Sequence, residues 1–141
     1  MGTIACFGNC LINHGNLSSC SYNMTVTGVW IGKFWYDLVP EFTVAFVVTL
    51  SQFEAVISGC TTEKNIFDSE AGQILIGELA GSVNGQRVHF IKAYTNGAAN
   101  NSRIKYEGNL SDDRNYISGE WVISGIGIGG FKMVRAVEQP L

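Results

Sequence analysis

Between Val88 and Ile123 the chain reads VHFIKAYTNGAANNSRIKYEGNLSDDRNYISGEWVI, three runs of strand-forming residues parted by two clusters of Gly, Asn, Ser and Asp. Such clusters supply the backbone angles and local hydrogen bonds of turns, so the stretch predicts a three-stranded antiparallel meander. Side chains alternate across a strand. That places Val88, Phe90, Lys92 and Tyr94 on one face of the first run and Ile104, Tyr106, Gly108 and Leu110 on one face of the second. Ile117, Gly119, Trp121 and Ile123 share a face of the third, so Phe90, Tyr106 and Trp121 form one aromatic wall. A sheet with such a wall must cover it.

The rest of the chain supplies more strands. From Met24 the sequence MTVTGVWIGKFWYD reads as a first strand, with Gly28 and Gly32 permitting a bend or close packing. After a turn from Asp37 to Glu41, Phe42, Val44, Phe46, Val48 and Leu50 share a core face, and Thr43, Ala45, Val47 and Thr49 share the other. A third strand is expected from Phe53 to Thr61, with Cys60 buried as a small apolar residue. A polar segment from Lys64 to Asp68, a strand from Gln73 to Leu79 and a turn from Ala80 to Gln86 with its Asn84-Gly85 signal follow. Beyond the meander, Gly125 to Gly130 reads as a flexible hairpin connection and Phe131 to Ala136 as a last strand that pairs back on the first.

That count is about eight, the number at which a closed antiparallel sheet has an interior wide enough for side chains or one small ligand. With 17 glycines and few runs of helix formers, the predicted fold is all-β: an eight-stranded antiparallel up-and-down barrel over residues 24–141. An open sandwich is the alternative, but consecutive hairpins suffice for the barrel. Residues 1–23 lack periodicity and hold Cys6, Cys10, His14 and Cys20, an irregular Cys-rich segment. Zinc ligation, an internal disulfide and free thiols are all open readings, because each spacing is one residue off the usual zinc pattern. No metal site or cofactor is assigned.

Several function classes are set aside on composition. The net charge of −3 argues against a nucleic-acid surface, and no apolar run is long enough to span a membrane as a helix. With neither a basic opening nor an apolar leader core, the chain is expected in the cytoplasm, or secreted if already processed. The glycines of GIGIGG match a dinucleotide fingerprint only in letters, since the eleven residues after Gly130 leave no room for its helix and second strand. Sequons at Asn16, Asn23, Asn100 and Asn109 carry meaning only in a secreted chain. His89 falls on the face opposite Phe90, and Asp112 and Asp113 read as solvated turn residues, so no catalytic set is defended.

Lys92 stands apart because alternation points it inward, where an ammonium needs a partner. Either it meets an anionic or carbonyl group of a ligand, or it sits at the barrel mouth with its head in water. Phe90, Lys92, Tyr94, Tyr106 and Trp121 are therefore the candidate ligand-binding residues, for a small apolar or amphipathic molecule. Two other readings stay open: a barrel that serves only as a structural or interaction module, and a cyclase or isomerase using Lys92, Tyr94 or Glu120. The outward residues Ile91, Ala93, Val122 and Val134, and the outward set Thr43, Ala45, Val47 and Thr49, are uncharged on a chain only 15% charged, which predicts a homo-oligomer.

From Val26 to Arg135 the chain resembles the avidin and streptavidin family and, more distantly, lipocalin-type barrels. Val26-Thr27-Gly28-Val29-Trp30 is similar to the family's first strand, Val88-His89-Phe90-Ile91-Lys92 to its Val-x-Trp-Lys, Tyr106-Glu107-Gly108 to its Trp-Ser-Gly, and Glu120-Trp121-Val122-Ile123 to its Gln-Trp-Leu-Leu. Ile57-Ser58-Gly59 is similar to a further strand motif. The resemblance implies an aromatic cage at Phe90, Tyr106 and Trp121 and a tetramer of barrels. It does not carry biotin recognition, since Gly32, Thr61 and Glu63 stand where the family keeps polar ligand contacts. Lipocalin-type barrels also close one end with an Arg on the first-strand Trp, parts that fall here to Arg135 and Trp30.

Overall fold

In a computed structural model, which describes residues 25–66, 72–97, 99 and 102–136, the chain forms eight strands and among these residues no helix. They are β1 (Gly28–Tyr36), β2 (Thr43–Phe53), β3 (Val56–Lys64), β4 (Ile74–Asn84), β5 (Arg87–Tyr94), β6 (Arg103–Leu110), β7 (Tyr116–Ile123) and β8 (Gly127–Arg135). Each pairs antiparallel with its neighbour in sequence, and β8 returns to β1 with Trp30 opposite Arg135 and Phe34 opposite Phe131. The sheet is thus a closed barrel without free edges. The Cys-rich segment, with Cys6, Cys10, His14 and Cys20, lies outside the described residues.

The inward phase read from the meander holds in detail. Phe90 lies opposite Tyr106 and Tyr106 opposite Trp121, so the three aromatics form one row across β5, β6 and β7, all buried. The predicted outward residues face away: Ile91, Val122, Val134, Val47 and the charged Arg103, Lys105 and Glu107 are exposed, and Ala93 is half-buried. Gly108 faces Gly119, and the missing side chains are required. A Cβ on Gly119 would lie 1.9 Å from the Glu107 carbonyl oxygen, and one on Gly108 would meet the Phe131 ring at 3.0 Å. Phe131 fills that gap edge-on to Tyr106, with ring centres 5.0 Å apart.

Several strand boundaries, and the side to which Cys60 points, differ from the sequence reading. Phe42 is 68% exposed and precedes β2, because the inward alternation begins only at Val44. β2 runs on to Phe53, and a tight turn with Glu54 at a positive φ of 55° moves the start of β3 to Val56 and its end to Lys64. Cys60 is exposed, since the inward phase set by Ile57 continues through Gly59, Thr61 and Glu63 and turns the thiol outward. β4 extends to Asn84, so the turn narrows to Gly85 and Gln86, and Gly127 to Gly130 belong to β8 rather than to a flexible connection. There Gly129 lies beneath the Trp121 ring and Gly130 beneath Trp35.

One end of the barrel is sealed. Trp30 is fully buried, and its indole N–H donates to the Val26 carbonyl at 2.9 Å. The Arg135 guanidinium lies 4.7 Å from the Trp30 ring centre, a cation–π contact. Arg135 also donates to the carbonyls of Thr27 at 2.8 Å and of Thr25 and Arg114 at 2.7 Å. Large side chains with almost no exposure, among them Leu50, Ile57, Leu110 and Ile117, pack above this floor. The polar backbone ends here are satisfied by side chains, which closes the floor without stranding buried donors.

Trp121 is buried, packs edge-on against Tyr36 with ring centres 4.7 Å apart, and donates its indole N–H to the Trp35 carbonyl at 3.0 Å. Trp35 is half-buried on the outer phase. Trp121→Ala is expected to cost about 3–5 kcal/mol, the range for large buried aromatics, and Trp35→Ala clearly less. Chemical denaturation of the two variants checks the order, and a reversed order would contradict the strand phase.

Candidate binding cavity

At the end opposite the floor the barrel interior opens into a cavity of about 270 Å³. It forms where β1, β3, β5 and β7 end and β4 and β6 begin. Five aromatic rings line it, Phe34, Tyr36, Tyr94, Tyr106 and Trp121, with Leu75, Ile104 and Ile123 as aliphatic wall. Its polar side chains are Glu63, Asn65, Ser102 and the tyrosine hydroxyls. An interior of mostly apolar wall with few convergent polar groups is the usual build of a small-molecule site.

Of the five residues expected to contact a ligand, Tyr94, Tyr106 and Trp121 line this cavity. Phe90 and Lys92 lie deeper. With Tyr106, Met133 and the side chain of Thr61 they surround a void of about 10 Å³, near the size of one water. The Thr61 hydroxyl there is buried without a hydrogen-bond partner. Phe90 stacks on Tyr106 at 4.7 Å and an interplanar angle of 13°, so it supports the cavity wall from behind.

Lys92 takes neither role foreseen for it. It is buried, and its Nζ donates to Glu63 Oε1 at 2.9 Å, while the Tyr94 hydroxyl donates to Glu63 Oε2 at 2.7 Å. The pair spans β3 to β5 across β4, and the residue between them is Gly77. A Cβ there would lie 3.3 Å from Lys92 Cγ and 2.6 Å from the Thr61 hydroxyl, so only a glycine leaves the path open. The ammonium is also ringed by aromatic faces: Tyr94 at 4.7 Å, Phe34 at 5.3 Å, and Phe46 and Tyr106 at 5.7 Å. Each ring offers its electron-rich face to the charge.

Burial alone would lower the Lys92 pKa, but Tyr106, Tyr94 and Glu63 outweigh it and hold the ammonium above its ordinary value of 10.5. Burial raises the Tyr94 and Tyr106 phenols above their ordinary value of 10.0, against the opposing pull of Lys92. A lysine kept protonated in this way is a fixed charge, since nucleophile and base chemistry need the free amine. Glu120, also weighed for catalysis, is exposed on the outside, as is His89, which bonds Ser82 at 2.8 Å. Among the described residues no cluster of His, Cys, Asp and Glu is built to hold a metal.

Glu63 is the site residue that the sequence reading missed as Lys92's partner. It sits two residues past Thr61, where the third strand had been ended, and its phase shows only once β3 is carried on to Lys64.

No family model matches the chain, and no curated protein matches it. Solved structures of similar fold include two redesigned β-barrels. A redesigned β-barrel, b11L5F_LGL, superposes with a TM-score of 0.65 at 11% identity over 82% of this chain and 95% of its own. A second redesigned β-barrel, mFAP1, bound to DFHBI, gives 0.62 at 10% identity over 81% and 97%. At these identities the likeness is one of fold.

Removing one partner of a buried ion pair strands the other charge, which costs about 3–5 kcal/mol, whereas replacing both by apolar groups is far milder. Lys92→Met is therefore expected to destabilise the barrel by about that amount, and Lys92→Met with Glu63→Leu by much less. Urea unfolding of the single and double variants checks this. A single variant as stable as the parent would show that the pair does not hold the interior together.

Proposed function

We propose that the chain is a binding barrel that holds one small, mostly apolar molecule in the cavity opposite the Trp30–Arg135 floor. The observation that carries this reading is the contrast between the two halves of the interior. One half is packed but for a void of about 10 Å³, and the other keeps about 270 Å³ behind five aromatic rings. An interior that served only to hold the fold together would be filled, since packed cores leave few voids larger than a water. Tyr94, Tyr106 and Trp121 would touch the ligand, with Phe90 and Lys92 fixing the wall beneath them. That mFAP1, a barrel of the same fold, is bound to DFHBI fits such a use.

The lipocalin-type resemblance fits the sealed end, where Arg135 lies against Trp30. The avidin-type resemblance supplies the aromatic row but not the polar contacts of a biotin site. A barrel cyclase or isomerase gains no support from Lys92, whose ammonium is engaged by Glu63.

Trp121 makes the cavity observable. Titration with small aromatic and aliphatic probes is expected to change tryptophan fluorescence saturably, and a wall-filling Ile104→Phe variant to weaken binding at least about tenfold with its melting unchanged. Spectra indifferent to every probe up to its solubility limit would sink the reading.

The same barrel presents an uncharged outer row. Tyr116 lies opposite Val134, Val134 opposite Ile31, Ile31 opposite Val47, Val47 opposite Thr62 and Thr62 opposite Ile76. All six are exposed. We take this belt as the surface by which copies of the chain associate, because contiguous apolar surface on a chain only 15% charged calls for a cover. Sedimentation at micromolar concentration is expected to give a multiple of 15.3 kDa. A soluble monomer would refute it.

A further inference from the structure

Resting on the cavity reading above, we infer that the molecule this site takes is electrically neutral and carries a hydrogen-bond donor, a hydroxyl or an N–H, on an aromatic body, the donor meeting Glu63. Two features of the buried cluster lead there. The first is hydrogen-bond capacity. A carboxylate accepts at about four lone-pair positions. Glu63 receives Lys92 Nζ on Oε1 and the Tyr94 hydroxyl on Oε2, and it lines the cavity, so it can take a further donor from that side. An ether, ester or carboxylate oxygen brought to the same place would face the lone pairs of Glu63, and the Tyr94 hydroxyl beside it has already committed its proton to that carboxylate.

The second feature is charge. The cluster holds one ammonium and one carboxylate, which balance each other inside a wall of rings. Among the described residues the other polar side chains of the cavity, Asn65, Ser102 and the tyrosines, are uncharged. A ligand of either sign would arrive in this wall without a counter-charge, and an unpaired buried charge is far more costly than a bonded neutral donor. A neutral donor completes the carboxylate's hydrogen bonding and leaves the balance intact, while the ring faces of Tyr36, Tyr106 and Trp121 suit a planar body. Of the two readings open for Lys92, the one in which it meets an anionic or carbonyl group of a ligand gives way here, because Glu63 has taken that place.

The test needs no variant. Four probes with the same two fused rings, 1-naphthol, 1-methoxynaphthalene, 1-naphthoate and 1-naphthylmethylammonium, are titrated into the full chain at neutral pH and followed by tryptophan fluorescence. The hydroxyl probe is expected to bind about tenfold or more tighter than the methyl ether, the scale of a hydrogen bond to a charged acceptor, and tighter than both ions. Equal or tighter binding of the ether or of either ion overturns the inference while leaving a binding cavity in place. If none of the four binds, the cavity reading falls, and the inference with it.

Discussion

A sheet closed on itself has a single interior, and every inward side chain of eight strands competes for it. The Lys92–Glu63 pair decides how that space is divided. A lysine reaching across β4 passes over Gly77, where a Cβ would crowd the Thr61 hydroxyl and Lys92 Cγ, and its ammonium lies among the rings of Phe34, Phe46, Tyr94 and Tyr106. Below this polar layer the barrel packs as an apolar core. Above it the remaining aromatics line a space they do not fill. The pair therefore acts as a partition between a half that is packed and a half that keeps an open cavity.

Such a partition carries a specific electrostatic character. A purely apolar floor would accept any oily body of the right size, whereas a carboxylate held by a lysine and a tyrosine sets a preferred orientation on whatever rests against it. Since both donors to Glu63 are buried, the orientation of the carboxylate is fixed before a ligand arrives, and little ordering remains to oppose binding.

Much of the fold was legible because alternation is strong wherever both partners of a hairpin are apolar on one face. The meander shows this best: Phe90, Tyr106 and Trp121 were phased from sequence and stand side by side in register. The failures have a common cause. Thr61-Thr62-Glu63-Lys64 has the composition of a loop, and the rule that carboxylates stay in water hid an inward Glu63. Without Glu63, Lys92 had no visible partner, and its role was assigned to a ligand. Cys60 was judged by residue type where the phase from Ile57 would have turned it outward, and Phe42 was added to a core face that starts two residues later. The cavity itself left no sequence signal, because whether several rings fill a space or surround one depends on their tilt.

The Arg135 floor has a topological consequence. Thr25 and Ala136, the first and last of the described residues, both lie at the sealed end, joined by the bonds from Arg135 to Thr25 and from the Ala136 amide to Val29. A tag, a fusion partner or a surface joined directly at Thr25 or Ala136 would thus be tethered at the pole away from the cavity. A tethered barrel would present its mouth outward, and the two poles can be engineered separately.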